Sequence, residues 1–516
     1  MADTNQNQAA ANWQRVSPVG LIYFVIQVLK GFVGNVIYLI PMVYLLSDLY
    51  AKKPETAQLM LLGAAIIISL FAGLNYYFFQ YRLTKARVEI RSGVFSKKRI
   101  DLPFSRIQNI EVSEPLYYRP IGFCYLQFDT AGSSTQEAKI VAINLDKAKA
   151  LKSQILAHNQ AQADTAEAAD VEMGTPNTPI QSDEKPINYR NIDDLVLHGL
   201  TSNRAWILLA GLSPFIDEFT EKLSSWLLRY GINVEQYFAF EGMTWWQIGL
   251  TLITVTVTTI IIMSLISVIG SIIVYYNFEL AKQGDRYIRR CGLFTVTEVS
   301  MRLSRLQVIV RQQDWLDTLF RRSNLKYEQS NANAKGKHGA ALTNKILVPS
   351  VTHSEVEFLI NDAYPDNQLL TIKLNKISPR YLLRNIGALL VPPFIVISAF
   401  LGYHNNYEAM AYAFGLFALL SGLMVMRYLR WGYAMDDNFV YIRKGCLGVD
   451  HYCFPRHKVQ QISVSQNPII AKHQLCSLHF VLASGSYTIP YMDEQQAYQM
   501  LNSTLYEVEY YKKSWM

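Results

Sequence analysis

Three stretches far apart in this chain follow one spacing, and that repeat limits the fold more than any other feature. They read VEIRSGVFSKKRIDLPFSRIQNIEVSEP, RYIRRCGLFTVTEVSMRLSRLQVIVRQQ and VYIRKGCLGVDHYCFPRHKVQQISVSQN. Anchored on Gly93, Gly292 and Gly445, each has a basic residue thirteen positions on: Arg106, Arg305 and Lys458. A glutamine follows at fifteen (Gln108, Gln307, Gln460) and an isoleucine at seventeen (Ile110, Ile309, Ile462). The register holds without a gap to Leu126, Leu325 and Leu478, and to Phe128, Tyr327 and Phe480. A unit present three times must solve the same folding problem three times.

Within each unit the local pattern is that of strands. Arg87 to Ile90 and Asn438 to Arg443 alternate with a period of two and then reach a glycine-containing turn, as hairpins do. Ile107, Asn109 and Glu111 point away from Gln108, Ile110 and Val112, so one face can be buried. Each unit closes on a short helical pattern that starts at an N-cap residue, Asp146, Ser354 or Asp493. The unit is thus a small antiparallel β-barrel or sandwich with a C-terminal capping helix.

What precedes each unit is lipid-soluble. Half of the 516 residues are hydrophobic and only 17% are charged, against about 25% in soluble domains. Charge-free runs cover Thr56 to Tyr81, Gly242 to Phe278, Asn385 to Tyr407 and Ala409 to Met426. Each is near or above the roughly 20 apolar residues that a helix needs to cross the hydrocarbon. Gly31 to Ser47 extends backward past Lys30, which can snorkel to an interface. Ala205 to Ile216 is too short to cross alone, and an interfacial helix stays open beside a crossing that starts near Leu195. Pairs of spans before every unit favour the crossing.

These readings predict a mixed membrane protein with about six transmembrane helices in three pairs. The expected divisions are a tail and first pair (1–80), first β unit (81–156), linker (157–190), second pair (191–276), second unit (277–365), third pair (366–428) and third unit (429–516). From Ala157 to Pro186 the chain is rich in Ala, Gln and acid and cannot bury a core, which predicts disorder. Six crossings place all three units on one side. Their flanks carry Arg15, Arg82, Lys85, Arg286, Arg380, Arg427 and Arg430, whereas the opposite loops are acidic or neutral. Excess Lys and Arg marks the cytoplasmic face, and five scattered cysteines fit a reducing compartment. Both termini are expected inside, and the polar start lacks the features of a cleaved secretory signal.

Membrane spans in pairs, each followed by a unit with the IRSGxF turn and then a basic residue, x and Gln, resemble the bacterial pleckstrin-homology-like family, also called membrane-flanked domain proteins. The resemblance covers most of the chain outside the tail and linker. It implies a pleckstrin-homology (PH) type barrel with its C-terminal helix, in a bacterial inner membrane, and it brings no catalytic activity. The second unit departs most, with Arg290-Cys291-Gly292-Leu293 at its turn and Val308 after its glutamine.

No phosphate-binding glycine loop, paired CxxC motif, HExxH or nucleophile elbow is present. The third unit holds His451, His457, His473 and His479 with Cys446, Cys453 and Cys476. Cys476 shares its repeat position with Cys124, where no histidines gather, so a core cysteine is the better reading and no metal or cofactor is expected. The candidate binding residues are Arg106, Gln108, Arg305, Gln307, Lys458 and Gln460. They can contact an anionic head group or a partner's backbone, or they can form the turn after a strand and serve the fold. Pro392-Pro393 must kink or break the fifth span, yet the spans lack the acidic groups that ion-coupled transport uses. The sequence therefore points to a non-enzymatic scaffold or binding platform, with membrane lipids, a protein partner or self-association as partners and no nucleic acid. A transporter or export factor is the alternative. Reporter fusions test the arrangement: one after each β unit is expected to report the cytoplasm, and an external middle unit would refute the three-pair topology.

Overall fold

The computed structural model of the chain describes residues 13–33, 49–84, 86–94, 96–130, 138–155, 184–202, 224–225, 228–230, 244–329 and 345–511. Among them four helices are long and apolar enough to cross a membrane, α2 (Pro54–Phe78), α5 (Trp245–Tyr275), α7 (Arg380–Tyr403) and α8 (Tyr407–Arg430). The most apolar stretches of α7 and α8 bury none of their residues inside the protein. Side chains such as Leu59, Ile67, Ile253 and Val396 stand more than half exposed, which suits lipid and not water. Of the expected pairs, α7 and α8 form the third. The first shows α1 (Gly20–Val33) and α2, with residues 34–48 outside the described part. Ala205 to Ile216 also lies outside it, but a capped helix, α4 (Ile192–Thr201), leads toward it. At Pro392 and Pro393 the span does not break. The missing N–H donors are accommodated by a π-helical stretch over Leu383–Leu390.

The three copies supply corresponding strands in the same order, and the second to sixth of each keep their positions relative to the turn glycine. The first gives β1 (Gln14–Arg15), β2 (Gln80–Leu83), β3 (Arg87–Ser92), β4 (Lys98–Pro103), β5 (Ile107–Pro115), β6 (Phe123–Thr130) and β7 (Ala138–Asn144). The second gives β8 (Lys185–Tyr189), β9 (Glu279–Gln283), β10 (Arg286–Cys291), β11 (Thr295–Arg302), β12 (Leu306–Gln313), β13 (Ser323–Gln329) and β14 (Lys345–Val351). The third gives β15 (Gly432–Met435), β16 (Phe439–Gly445), β17 (Val449–Pro455), β18 (Val459–Ser465), β19 (Leu475–Leu482) and β20 (Gly485–Asp493), its first strand being reduced to the bridge Asn375↔Tyr433. The turn glycine explains itself at all three positions. A Cβ on Gly93, Gly292 or Gly445 would stand 2.0 Å from the carbonyl oxygen of Ser96, Thr295 or Gly448. The first two also have positive φ, 102° and 126°.

The copies are not three separate barrels. Among the described residues all strand pairing is antiparallel, and the strands form four sheets, in the orders β1-β2-β3-β4, β7-β6-β5-β11-β10-β9-β8, β14-β13-β12-β17-β16-β15 and β18-β19-β20. The second half of one copy and the first half of the next are therefore a single sheet. Three hydrophobic cores lie between successive sheets. Val88, Ile90 and Leu102 meet Ile110, Leu126 and Phe128 in the first. Leu280, Tyr287 and Met301 meet Ile309, Leu325 and Tyr327 in the second. Val440, Ile442 and Phe454 meet Leu478, Phe480 and Ile489 in the third. A helix plugs each core: residues 145–155 (α3) through Ala148 and Leu151, α6 (His353–Ala363) through Val356 and Leu359, and α9 (Glu494–Tyr511) through Ala497 and Met500.

The membrane helices join the cores of their own copies. Phe24, Ala72 and Phe79 enter the first, Leu195, Tyr275 and Phe278 the second, Tyr381 and Trp431 the third. The stretch expected as linker to residue 190 is shorter than that reading allowed. Its last residues form β8, and buried Arg190 bonds Glu355 of α6 at 2.7 Å, so the segment closes the second copy. Residues 156–183 lie outside the described part.

The packing of α4 on α5 depends on one glycine. Ser267 and Ser271 of α5 donate to the carbonyls of Gly199 (2.6 Å) and Leu195 (2.9 Å). A Cβ at Gly199 would come 2.4 Å from the Cα of Val268, whereas one at Gly249 would meet nothing within 4 Å. Gly199→Ala is expected to lower stability by about 1–3 kcal/mol through overpacking, and Gly249→Ala to leave it level or raise it. Thermal unfolding of the two variants in detergent compares them, and equal transitions would show that α4 and α5 separate freely.

Candidate functional site

The six candidate residues sit where the chain leaves one sheet for the next. A single 3-10 turn joins β4 to β5 (Phe104–Arg106), β11 to β12 (Leu303–Arg305) and β17 to β18 (Arg456–Lys458), and the conserved spacing puts the basic residue last in each. The three turns belong to different layers of the stack, so the six residues do not converge on one pocket. Arg106 is exposed, and the Gln108 side chain lies outside the described part. Arg305 is half-buried, and burial together with Arg302 holds its guanidinium below the usual range. Gln307 is fully buried, while Gln460 is exposed.

Lys458 shows what the position does in the last copy. It is 5% exposed, and its Nζ donates to the carbonyls of Ser304 and Leu306, at 2.5 and 2.7 Å. Those two carbonyls flank Arg305 in the turn of the preceding copy. The lysine of one copy thus latches onto the turn of another, across the shared layer. Burial lowers its ammonium to about 8, with Asp285 of the second copy pulling the other way.

Two strand junctions carry the rest of the contact between copies. At the first, Val112, Ser113 and Glu114 of β5 lie opposite Glu298, Thr297 and Val296 of β11. At the second, Arg311, Gln312 and Gln313 of β12 lie opposite His451, Asp450 and Val449 of β17. Counted from the turn glycines these registers are identical, position nineteen of one copy facing position six of the next. The faces differ in chemistry. The first junction is polar: Glu298 takes a 2.6 Å contact from Lys152 of α3 and a 2.7 Å bond from Arg290, which also pairs with Glu184. Burial alone would raise the Glu298 carboxyl, but Lys152 and then Arg290 outweigh it and bring it to about 2. The second junction is mixed: Arg311, Gln312 and Gln313 face His451, Asp450 and Val449, while Val308 and Val310 turn into the third core and Ile309 into the second.

The outer face of the first sheet is charged and aromatic. Glu89 lies between Arg82 (2.5 Å) and Arg99 (3.0 Å), and Arg87 pairs with Asp101 (3.1 Å). Trp13 stacks over Arg91, whose guanidinium carbon is 3.8 Å from the ring centre, with Arg82 at 5.0 Å. Exposed Lys97, Lys98 and Arg106 lie in the same copy and add to its basic residues.

The histidines and cysteines of the third copy serve separate purposes. Cys453 and Cys476 are buried in two different cores, His479 bonds Thr488 at 2.9 Å, and His451 lies opposite Arg311. Among the described residues no three of His, Cys, Asp or Glu come together as ligands would. The residues that single-unit reasoning missed are Lys152, Glu298 and Arg290, because their partners lie in another copy. The doubly apolar run Val308-Ile309-Val310 was the available signal, since a strand buried on both faces needs cores on both sides.

The sequence model of the family described as Bacterial PH domain matches residues 24–159 and 381–508, just over half of the chain. These are the first and third copies with their membrane helices, and the middle copy repeats them strand for strand. The chain is also similar to the UPF0699 transmembrane protein YdbT of Bacillus subtilis (strain 168), with 22% identity over 360 residues, covering 69% of this chain and 70% of that one.

The Lys458 latch has a pH signature. An unfolded lysine titrates near 10.4, so between about 8 and about 10 the unfolded chain holds this proton more tightly than the folded one, and stability rises with pH across that window. The neutral amine still donates to both carbonyls, whereas Lys458→Met leaves them short of a donor at a cost of about 1–3 kcal/mol. Thermal unfolding from pH 7 to 10 is therefore expected to show the gap between wild type and Lys458→Met widening upward from pH 8. Parallel curves would refute the latch.

Proposed function

The chain belongs to the bacterial PH domain family, and from that premise we propose that it is a non-enzymatic membrane scaffold whose stacked domains form a binding platform for a protein partner or anionic lipid head groups. The observation that carries the reading is the sharing of sheets. Three domains that share two of their sheets move as one block, which suits presentation of a surface more than the gating of a path. The charge-free runs Thr56 to Tyr81, Gly242 to Phe278, Asn385 to Tyr407 and Ala409 to Met426 hold no carboxylate, which argues in the same direction.

The block sits on the cytoplasmic side of a bacterial inner membrane in this reading, with both termini inside. The support is the run of Lys and Arg at the helix ends, including Arg82, Arg286, Arg427 and Arg430. Basic residues close to an anionic surface gain about 1 kcal/mol each. Lys97, Lys98 and Arg106, all exposed, are the first candidates for such contacts, and Arg106 is the one triplicated position that faces solvent with its charge. In this reading the scaffold serves envelope homeostasis, and what supports it is the entry of membrane-helix ends into the cores of the stack.

The full-length chain in nanodiscs tests this. Amide exchange around Lys97 to Arg106 is expected to slow when phosphatidylglycerol replaces part of a zwitterionic bilayer, and photo-crosslinkers at these positions in cells are expected to capture lipid or one recurring protein. Unchanged exchange together with no specific crosslink would defeat the platform reading. Water access to cysteines placed at mid-depth along α7 would instead support a transport path.

A further inference from the structure

We propose that the chain assembles head to tail with further copies of itself, β18 of one molecule pairing with β4 of the next. This deepens the scaffold reading by naming a partner, a second copy of the same chain, and it rests on strand geometry and not on what the platform binds.

The argument begins with the two junctions inside the chain. β5 pairs with β11, and β12 pairs with β17, in one register and one direction. These strands are the fifth and fourth of their copies. Each junction therefore joins the same edge of one unit to the same different edge of the next. A contact of this kind is heterologous, and it leaves one unused member at each end of the array. The unused members are β18 at one end and β4 at the other. Among the described residues each has a strand on one side only.

The orphan half-sheets match each other. Sheet β18-β19-β20 has three strands and sheet β1-β2-β3-β4 has four. Joined through β18 and β4 they give seven strands in the order β20-β19-β18-β4-β3-β2-β1, which is the order of the seven-stranded sheet already present at the first junction. The repeat register then puts Val464 opposite Arg99, Ser465 opposite Lys98 and Gln466 opposite Lys97.

Charge selects this pairing over its competitors. The β4 edge presents Lys97, Lys98 and Arg99, so two β4 edges repel each other. β18 presents Gln461, Ser463 and Ser465, which are neutral, exposed or half-exposed, and so accept a basic strand. With all copies anchored in one membrane, repetition closes into a ring or continues as a filament, according to the rotation per step.

The test uses two full-length chains with different tags, co-expressed, both carrying Cys446→Ser because that cysteine is half-exposed and the other four are buried. One chain carries Ser465→Cys and the other Lys98→Cys. Oxidation of the membranes with copper phenanthroline is expected to give a disulfide joining the two tags. That product is expected to be lost when Arg99→Cys, which falls one residue out of register and on the opposite face, replaces Lys98→Cys. Gln466→Cys with Lys97→Cys is a second in-register pair, used if either first variant fails to accumulate. No mixed product from either in-register pair, or equal yields in and out of register, overturns the assembly. Neither result touches lipid or partner binding by the single chain, so the platform reading is judged separately.

Discussion

A β-strand has two edges and two faces, and this structure depends on using all four at the strands between copies. β12 bonds to β13 on one edge and to β17 on the other. Its period of two sends Ile309 into one core and Val308 and Val310 into the next. A unit of this size exposes an open edge and one sheet face, and both would cost free energy in isolation. Placing the next copy there removes both liabilities in one step. The layered stack is the result, and its middle layers cannot be removed without opening two cores.

The same geometry explains why the triplicated basic residue has three different environments. The turn that carries it lies where the chain crosses between layers, so its surroundings are set by whichever copy lies adjacent. Lys458 has the turn of the second copy beside it and becomes a buried donor to Ser304 and Leu306. Arg106, in the first copy, keeps its side chain in solvent. One sequence position therefore serves the fold at one end of the array and stands in solvent at the other.

Polar chemistry is distributed in the way expected of an array with ends. The second junction sets Arg311 and Gln312 against His451 and Asp450 beside the buried run Val308 to Val310, the first holds the Lys152–Glu298–Arg290 network, and the outermost face of the first sheet carries arginines, carboxylates and Trp13. In repeat proteins the terminal faces carry polar residues because no neighbour covers them. The membrane helices add the other constraint. Their ends sit in the cores, Tyr275 and Phe278 in one and Tyr381 and Trp431 in another, so motion of a helix end is transmitted into the packing of the stack.

The amino-acid pattern alone determined the repeated unit, its turn glycines, its strands and capping helix, and the four clearly apolar spans, because each of these rests on contacts within a few residues or within one copy. Gly93, Gly292 and Gly445 were readable since a backbone carbonyl three residues on excludes any side chain there. The pairing of β5 with β11 and of β12 with β17 was decided only in three dimensions, and so were the role of Lys458, the recruitment of residues 185–190 to the second copy and the ion pairs of Glu298. Strand alternation shows that a face is buried but carries no record of which sheet buries it. The bonds along a strand edge are made by the backbone common to every residue, so the side chains do not name the strand that pairs there.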